Sequence, residues 1–283
     1  MSNQPQQKIQ LVIIGNGMVT GRFLDELMAN DPKQYQITVI SAEPYGSYNR
    51  IMLSSILAKQ ATINSIIQKN ESWYQENNVA LKLGLAAKKI NPENKTVILS
   101  DDSSISYDQL VIATGSRASK IPAKNLHLKN IIFFRTIVDT NTILEQCLSC
   151  KRALVVGGGL LGLEAAYGLA QQGVKVTLLH RSKWLLNRQL DQSSGQMLQT
   201  IMQDMGIEFR LSDEAISFNG DEKVESVTFK TGDELKIDMA IIATGITPNS
   251  ELGLDAGLRG NRAIAVDDYM QTSDDSISAI GEC

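Results

Sequence analysis

A short apolar run passes directly into a glycine-rich turn at Ala153-Leu-Val-Val-Gly157-Gly-Gly-Leu-Leu-Gly162. A helical stretch follows as far as Gln172, Gly173 is of the residue type that ends helices, and Val174–Leu179 is a second apolar run. This order of strand, turn, helix and strand predicts a βαβ unit whose turn binds the pyrophosphate of a dinucleotide. The first glycine allows the tight turn, the second lets the backbone approach the phosphates, and the third allows close helix–strand packing.

The same module occurs nearer the N-terminus. Lys8–Ile14 runs into Gly15-Asn16-Gly17, a helical stretch follows, and Ile37–Ile40 is the next apolar run. Both modules close on nearly the same residues, Asp108-Gln-Leu-Val-Ile-Ala-Thr-Gly115 and Asp238-Met-Ala-Ile-Ile-Ala-Thr-Gly245. The repeat predicts an α/β protein with two Rossmann-like dinucleotide-binding domains. We expect nucleotide contacts at the two closing turns, through Ala113, Thr114, Gly115 and Gly245.

The repeat also indicates where the domains begin and end. A chain of 283 residues suits two domains at about 150 residues each. We expect one domain to be built from both chain ends, residues 1–118 and 247–283, and the other to be inserted between them as residues 119–246. Thr20 stands at the third glycine position of the first module, and we expect it to hold the helix slightly away from the strand.

Composition excludes several classes of protein. Lys and Arg number 27 against 31 Asp and Glu, so the net charge is −4 and no basic excess is available for nucleic acid. Two histidines and three cysteines cannot ligate a four-thiolate cluster, and we expect no metal site. Any redox or hydrolytic chemistry would then use a borrowed organic cofactor or plain side chains. The sequence contains neither a secretory signal nor a membrane-spanning apolar run. These features predict a cytoplasmic protein without nucleic-acid or membrane partners.

The residues that end the second strand of each module differ between the two copies. The first copy has Glu43, whose carboxylate suits an unphosphorylated adenosine ribose. The second has His180, Arg181 and Lys183, which suit a 2′-phosphate. This asymmetry favours a flavin dinucleotide in the first domain and NADPH in the second. The alternative is that Arg181 and Lys183 are solvated loop charges.

Four further features carry a resemblance to a known family: the first glycine turn paired with Glu43-Pro-Tyr-Gly-Ser-Tyr-Asn-Arg50-Ile-Met-Leu-Ser54, the two Ala-Thr-Gly turns, Thr247-Pro-Asn249, and the closing Gln271-Thr-Ser-Asp…Ala279-Ile-Gly-Glu282. Together they resemble the FAD-dependent pyridine nucleotide reductases. Asn187-Arg-Gln-Leu-Asp191 and the Gly-Glu-Cys ending are most similar to the N-terminal flavoprotein module of bacterial NAD(P)H nitrite reductase large subunits.

The resemblance implies a site for each nucleotide. Expected FAD contacts are Gly15, Asn16, Gly17, Met18, Glu43, Arg50, Ser54, Ser55, Ala113, Thr114, Gly115, Gly281 and Glu282. Expected NAD(P)H contacts are Gly157, Gly159, Leu160, Leu161, Gly162, His180, Arg181, Lys183 and Gly245. Glu282 would bond the ribityl chain, Arg50 would pass the isoalloxazine, and Glu164 would orient the nicotinamide, so Arg50 and Glu164 are the catalytic candidates. The alternative for Glu164 is an acidic residue that only stabilises the N-terminal end of its helix. Ser55 stands where related reductases often carry lysine.

The implied activity is electron transfer from NAD(P)H through FAD to an iron–sulfur or sirohaem acceptor, in a domain or a small electron carrier, as in assimilatory nitrite reductase. The family continues after Glu282 with a flavin-capping helix and a C-terminal interface domain. We expect both to be absent from these residues, and the chain end to be mobile. The alternatives are a free-standing rubredoxin- or ferredoxin-type reductase, a flavin-binding sensor or scaffold, and a disulfide reductase using Cys147-Leu-Ser-Cys150.

Overall fold

The apolar runs of the sequence form strands in the computed structural model, which describes residues 8–31 and 33–283. The strands are β1 (Ile9–Ile14), β2 (Tyr35–Ser41), β3 (Val79–Leu83), β4 (Ala87–Asn91), β5 (Thr96–Leu99), β6 (Ser104–Ser106), β7 (Gln109–Ile112), β8 (Ser116–Ala118), β9 (Ile131–Phe133), β10 (Arg152–Val156), β11 (Lys175–His180), β12 (Glu208–Leu211), β13 (Ala215–Asn219), β14 (Ser226–Phe229), β15 (Glu234–Lys236), β16 (Met239–Ile242), β17 (Ile246–Pro248) and β18 (Ile277–Ala279). The helices are α1 (Met18–Asn30), α2 (Leu53–Leu57), α3 (Ile63–Ile66), α4 (Glu71–Glu76), α5 (Ile137–Cys147), α6 (Leu160–Gln171), α7 (Gln192–Asp204) and α8 (Glu251–Leu254), with a 3₁₀ turn at Arg50–Met52.

The chain divides into two units. The first consists of the described residues up to Asn49 together with Ile67–Arg117 and Thr247–Cys283, and the second consists of Arg50–Ile66 and Ala118–Ile246. The sequence does not indicate that Arg50–Ile66 belong to the second unit. This placement results from the packing of α2 against α6 within that unit.

The first unit is built on a parallel five-stranded sheet in the order β18-β7-β1-β2-β3. Successive side chains of β1 point to opposite faces, as the pleat of a strand requires. Val12 and Ile14 join the core on one face, whereas Leu11 and Ile13 pack with Leu24 of α1 on the other. Burial on both faces explains why this strand is a continuous apolar run rather than an alternating one.

The second unit repeats this arrangement. Its parallel sheet has the order β12-β11-β10-β16-β9, so the strand before each glycine turn is central and the strand ending in Ala-Thr-Gly lies beside it. In each unit an antiparallel three-stranded sheet, β4-β5-β6 or β13-β14-β15, precedes that closing strand in sequence. The expected fold class, an α/β protein with two Rossmann-like domains, is confirmed.

The last residue is held in the core of the first unit. Cys283 is 7% exposed, its Sγ lies 3.3 Å from the carbonyl oxygen of Ile112, and its own carbonyl accepts from the N–H of Ile264. The expectation of a mobile chain end is therefore wrong for Cys283. A thiol is small and weakly polar, so it packs among apolar side chains at little cost.

Candidate dinucleotide sites

The first glycine turn is shaped by close contact with the closing strand. Gly15 has φ +108°, and a Cβ on it would lie 2.1 Å from the carbonyl oxygen of Ala113. A Cβ on Gly17, by contrast, would meet no described heavy atom within 4 Å beyond its chain neighbours. Gly17 caps the N-terminus of α1, where free N–H groups favour an anion. The turn therefore leaves an open approach at the positive end of a helix.

Asn16, inside the turn, holds a buried donor. Its side chain is 9% exposed, and its Oδ1 accepts from the Tyr74 hydroxyl at 2.8 Å. Burial raises the pKa of Tyr74, which keeps the phenol protonated as that donor. Asn16 Nδ2 is buried without an acceptor among residues 8–31 and 33–283. Burying an N–H donor costs free energy unless the donor has an acceptor. An oxygen atom of a bound dinucleotide would supply that acceptor for Asn16 Nδ2.

The third glycine position differs between the two units. A Cβ on Gly162 would lie 1.8 Å from the Gly157 carbonyl oxygen, so α6 touches its turn directly. Thr20 has a complete side chain at the equivalent place in α1, and its Oγ1 donates to the Gly15 carbonyl at 2.9 Å. A side-chain hydrogen bond thus links α1 to its turn at the position where α6 makes direct backbone contact.

A cavity of about 420 Å³ opens beside the first turn. Its lining includes Gly15, Ala42, Ala86, Thr114, Asn249 and Leu252. Glu43 follows Ala42 at the end of β2, and its carboxylate accepts from the Tyr48 hydroxyl at 2.8 Å. This contact fixes one oxygen of the predicted ribose partner. The cavity, the turn and Glu43 belong to the same unit and together form a candidate site for an adenine dinucleotide.

The closing turn of the first unit depends on a residue that we did not nominate from the sequence. Thr114 Oγ1 donates to the Asn249 carbonyl at 2.7 Å, and Asn249 Nδ2 donates back to the Thr114 carbonyl at 3.0 Å. The motif Thr247-Pro-Asn249 already marked this residue in the sequence. Glu282 accepts from Ser116 Oγ at 2.6 Å, just after the Ala113-Thr114-Gly115 turn. Gly281 has φ +88°, which a residue with a side chain rarely adopts.

The second glycine turn has the same geometry as the first. Gly157 has φ +125°, and a Cβ on it would lie 2.3 Å from the Ala243 carbonyl oxygen. Gly159 caps the N-terminus of α6, and a Cβ there would meet nothing within 4 Å in the described chain apart from its neighbours. Leu160 and Leu161 follow in the first turn of α6, and Gly245 has φ +118° after the closing strand.

The end of β11 carries the predicted specificity residues. Arg181 and Lys183 are exposed, as a contact with a ligand phosphate requires. His180 is half-buried, and both of its ring nitrogens contact other residues of the same unit. Burial lowers the pKa of His180, so the imidazole is neutral at neutral pH. The two cations, and not the imidazole, therefore provide positive charge at this position.

Glu164 is paired with a residue from Arg50–Ile66. Ser54 is 6% exposed and donates to Glu164 Oε2 at 2.8 Å. This contact forms because α2 packs against α6. Leu57 of α2 approaches Gly168 of α6 so closely that a Cβ on the glycine would lie 2.6 Å from the Cβ of Leu57. Arg50 Nη1 donates to the Arg135 carbonyl at 2.8 Å within the same unit. Ser55 is half-buried, with its Oγ 4.0 Å from the sulfur of Met52.

The two cysteines of the C-x-x-C sequence have poorly reactive thiols. Cys147 ends α5 and Cys150 follows it, both partly buried and unbridged. Burial raises the pKa of Cys147 to about 11 and that of Cys150 to about 12. Because the thiolate is the nucleophile, thiols with such pKa values react slowly near neutral pH.

The described residues contain neither a metal-binding cluster nor a membrane-spanning helix. Across residues 8–31 and 33–283, no three side chains of histidine, cysteine, aspartate or glutamate come together to hold a metal ion. None of the described helices is long and apolar enough to cross a membrane.

A model of the pyridine nucleotide-disulphide oxidoreductase family matches residues 9–283. The chain belongs to this family. Membership implies binding of FAD and of NAD(P)H. The open glycine turns, the unbonded Asn16 amide and the cavity lined by Gly15 and Ala42 fit such ligands.

The chain is also similar to individual proteins of known name or structure. It is 41% identical over 276 residues to the NAD(P)H nitrite reductase of Bacillus subtilis (strain 168), covering 98% of this chain and 34% of the relative. It is 37% identical over 277 residues to the assimilatory nitrate reductase electron transfer subunit of the same organism, covering 98% and 36%. The crystal structure of the covalent putidaredoxin reductase–putidaredoxin complex superimposes with a TM-score of 0.91 at 29% identity, covering 98% of this chain and 68% of that one. The chain thus spans about a third of the length of these two curated relatives.

Proposed function

We propose that this chain is an electron-transfer module that takes hydride from NAD(P)H to FAD and passes electrons on to an iron–sulfur or sirohaem acceptor. The observation that carries the proposal is the duplicated turn. Gly15 and Gly157 both lie against the carbonyl oxygen of the alanine of an Ala-Thr-Gly turn, and both precede an open helix N-terminus. Two pyrophosphate sites in one chain suit two dinucleotides.

The first unit would hold FAD. Gly15, Asn16, Gly17 and Met18 would meet the pyrophosphate, and the Tyr48-supported carboxylate of Glu43 would accept from the ribose. The closing turns add the remaining contacts of this unit, from Ala113, Thr114, Gly115, Gly281 and Glu282. Bound FAD supplies the step from two-electron to one-electron transfer, which no amino-acid side chain of the chain provides.

The second unit would hold the nicotinamide nucleotide. The pyrophosphate would lie at the start of α6, against the turn and closing residues Gly157, Gly159, Leu160, Leu161, Gly162 and Gly245. Arg181 and Lys183 would favour NADPH by pairing with its 2′-phosphate. Glu164, held by Ser54, would orient the nicotinamide, since hydride transfer depends on positioning more than on proton exchange.

Similarity to the nitrite reductase and to the nitrate reductase electron transfer subunit supports an acceptor in nitrate or nitrite assimilation. The second candidate is a reductase for a small electron carrier. The likeness to putidaredoxin reductase, which was crystallised with putidaredoxin, favours this candidate. The two proposals share the path from NAD(P)H to FAD and differ in what receives the electrons.

An anaerobic titration tests the shared path. The chain is loaded with FAD, and the flavin absorbance is followed as NADPH or NADH is added in equal amounts. We expect bleaching by both nucleotides and recovery on addition of a one-electron dye. Flavin that binds but is not reduced by either nucleotide would contradict the proposal and favour a flavin-binding sensor or scaffold.

A further inference from the structure

The imidazole of His180 contacts the second glycine turn on one side and a loop on the other. The Gly158 N–H donates to His180 Nδ1 at 3.1 Å, and His180 Nε2 lies 3.1 Å from Asn187 Oδ1. A neutral imidazole has one donor and one acceptor nitrogen. Because Nδ1 accepts, Nε2 carries the proton and donates it to the Asn187 oxygen.

Gly158 is tied to the same loop through its carbonyl. The N–H of Leu186 donates to the Gly158 carbonyl at 2.9 Å, and Leu186 adopts φ +50° to do so. A Cβ on Gly158 would lie 2.6 Å from His180 Cγ, so the turn and the ring are in direct contact. The backbone N–H of Gly158 is therefore bonded to His180, and its carbonyl is bonded to Leu186 in the loop of residues 182–190.

The protonation state of His180 follows from its surroundings. Burial lowers the pKa of His180, and the positive charge of Arg181 lowers it further, against the raising effects of the bond to Asn187 and of a bond to the Trp184 backbone. A proton on Nδ1 would also face the Gly158 N–H, and two donors repel. His180 therefore acts as an acceptor for the turn and leaves discrimination at the 2′-phosphate to Arg181 and Lys183.

We propose that Asn187 is a positioning residue of the nucleotide site: it holds His180 in the Nε2–H tautomer, whose Nδ1 then fixes the Gly158 N–H of the pyrophosphate turn. This inference rests on the proposed function of the second unit. The pyrophosphate is common to both nicotinamide nucleotides, so Asn187 affects the binding of NADH and NADPH alike. A residue that touched the 2′-phosphate directly would affect NADPH alone.

The experiment compares Asn187→Leu, which removes the acceptor, with Asn187→Asp, which keeps it. Gln189→Leu, exposed in the same loop, is the matched control. All are made with His127→Gln, so that His180 is the one histidine in the nitrogen NMR spectrum of the full chain. Dissociation constants for NADH and NADPH are measured by titration.

We expect the parent protein, free of nucleotide, to show the Nε2–H tautomer, and Asn187→Leu to show a larger share of the Nδ1–H tautomer, because one of the contacts that favour Nε2–H is then lost. The Leu variant should bind both nucleotides three- to tenfold more weakly, roughly the factor of one hydrogen bond. Gln189→Leu should keep the tautomer and stay within about twofold of the parent for both nucleotides. Asn187→Asp keeps the acceptor but adds a negative charge, so it should keep the Nε2 proton and stay within about twofold of the parent for NADH. An Nδ1–H tautomer in the parent, a loss confined to NADPH, or unchanged affinities would overturn the proposal.

The tautomer is read without nucleotide, which separates two kinds of failure. A parent protein that binds neither nucleotide would overturn the proposed function and, with it, the effect of Asn187 on binding. The NMR spectrum would still show whether Asn187 sets the tautomer of His180. A wrong tautomer in a parent that binds both nucleotides would overturn the role of Asn187 alone.

Discussion

Arg181 and Lys183 are the residues on which the choice between NADPH and NADH depends. Both are exposed directly after β11, and the neighbouring imidazole is neutral. We expect Arg181→Glu to weaken NADPH relative to NADH by roughly 1–3 kcal/mol, the free energy of a hydrogen bond to a charged group. The measurement is anaerobic flavin reduction with each nucleotide.

Arg188→Glu is the matched control, because it makes the same charge change at an exposed position of the same loop. It should leave the NADPH/NADH ratio close to that of the parent. If Arg181→Glu also leaves this ratio unchanged, Arg181 is a solvated loop charge.

Sequence predicts single residues well where a backbone conformation demands them. Gly15 and Gly157 have positive φ and no room for a Cβ, so their chemistry is visible in the sequence. Tyr74 and Asn187 are different, because they act through side-chain contacts. Tyr74 bonds Asn16, which is distant in sequence, and Asn187 contacts His180 through the conformation of a loop. Such contacts follow no fixed sequence spacing, so a sequence pattern does not predict them. His180 illustrates the limit: its residue type suits a cation, whereas its surroundings keep it neutral.

At the scale of elements, one charged cluster joins strand β12 to the antiparallel sheet β13-β14-β15. Arg210 Nε lies 2.5 Å from Asp213 Oδ2, and the same guanidinium pairs with Asp233 and stacks on Phe229. Asp213 is 4% exposed and also accepts from Thr231. These contacts hold the end of β12 against the turn between β14 and β15.

The cluster makes stability depend on pH. Burial acts to raise the pKa of Asp213, but hydrogen bonds from Arg210 and the Glu214 backbone outweigh it, and the pKa is lowered. A lowered pKa means that Asp213 binds its proton less tightly in the folded state than in the unfolded chain, where an aspartate has a pKa of about 3.9. The stabilisation is therefore complete above that value and is lost as the pH falls through the folded pKa.

We expect Asp213→Asn to lower the free energy of unfolding at pH 7 by about 1.5–3 kcal/mol, as for a lost bond between charged groups. Its urea unfolding should also depend less on pH below about 4 than that of the parent. Asp221→Asn, which removes an exposed carboxylate outside the cluster, is the control. Parallel pH profiles for Asp213→Asn and the parent would show that the cluster does not contribute in this way.

At the scale of the whole molecule, the repeat in the sequence determined most of the architecture. The two Ala-Thr-Gly strands and the two glycine turns predict one βαβ-type module in each unit, whereas the order of the strands in each sheet comes from the structure. Arg50–Ile66 could not be assigned in this way. Its association with the second unit depends on the absence of a side chain at Gly168, which permits contact with Leu57. A single glycine in a helix is not part of a recognisable motif, so the sequence does not predict this contact.

The thiols of Cys147 and Cys150 bear on the electron path through the whole chain. In a disulfide reductase such a pair would relay electrons, whereas here burial raises their pKa values to about 11 and about 12. The thiolate fraction near neutral pH is therefore small, and dithiol exchange would be slow. Cys150 instead donates to the Arg152 carbonyl, 3.5 Å away, and both cysteines lie where α5 ends ahead of β10.

We therefore expect the double variant Cys147→Ser, Cys150→Ser to reduce a one-electron dye with NADPH at a rate within about twofold of the parent, because the electrons bypass both sulfurs. The measurement is steady-state dye reduction by FAD-loaded protein, with the flavin content determined in the same samples. Cys283→Ser is the matched control for loss of a thiol. Its cysteine is buried in the first unit, so its effect should fall on stability instead of on the rate. Loss of turnover in the double variant with its flavin still bound would show that the dithiol carries electrons and would favour a disulfide reductase.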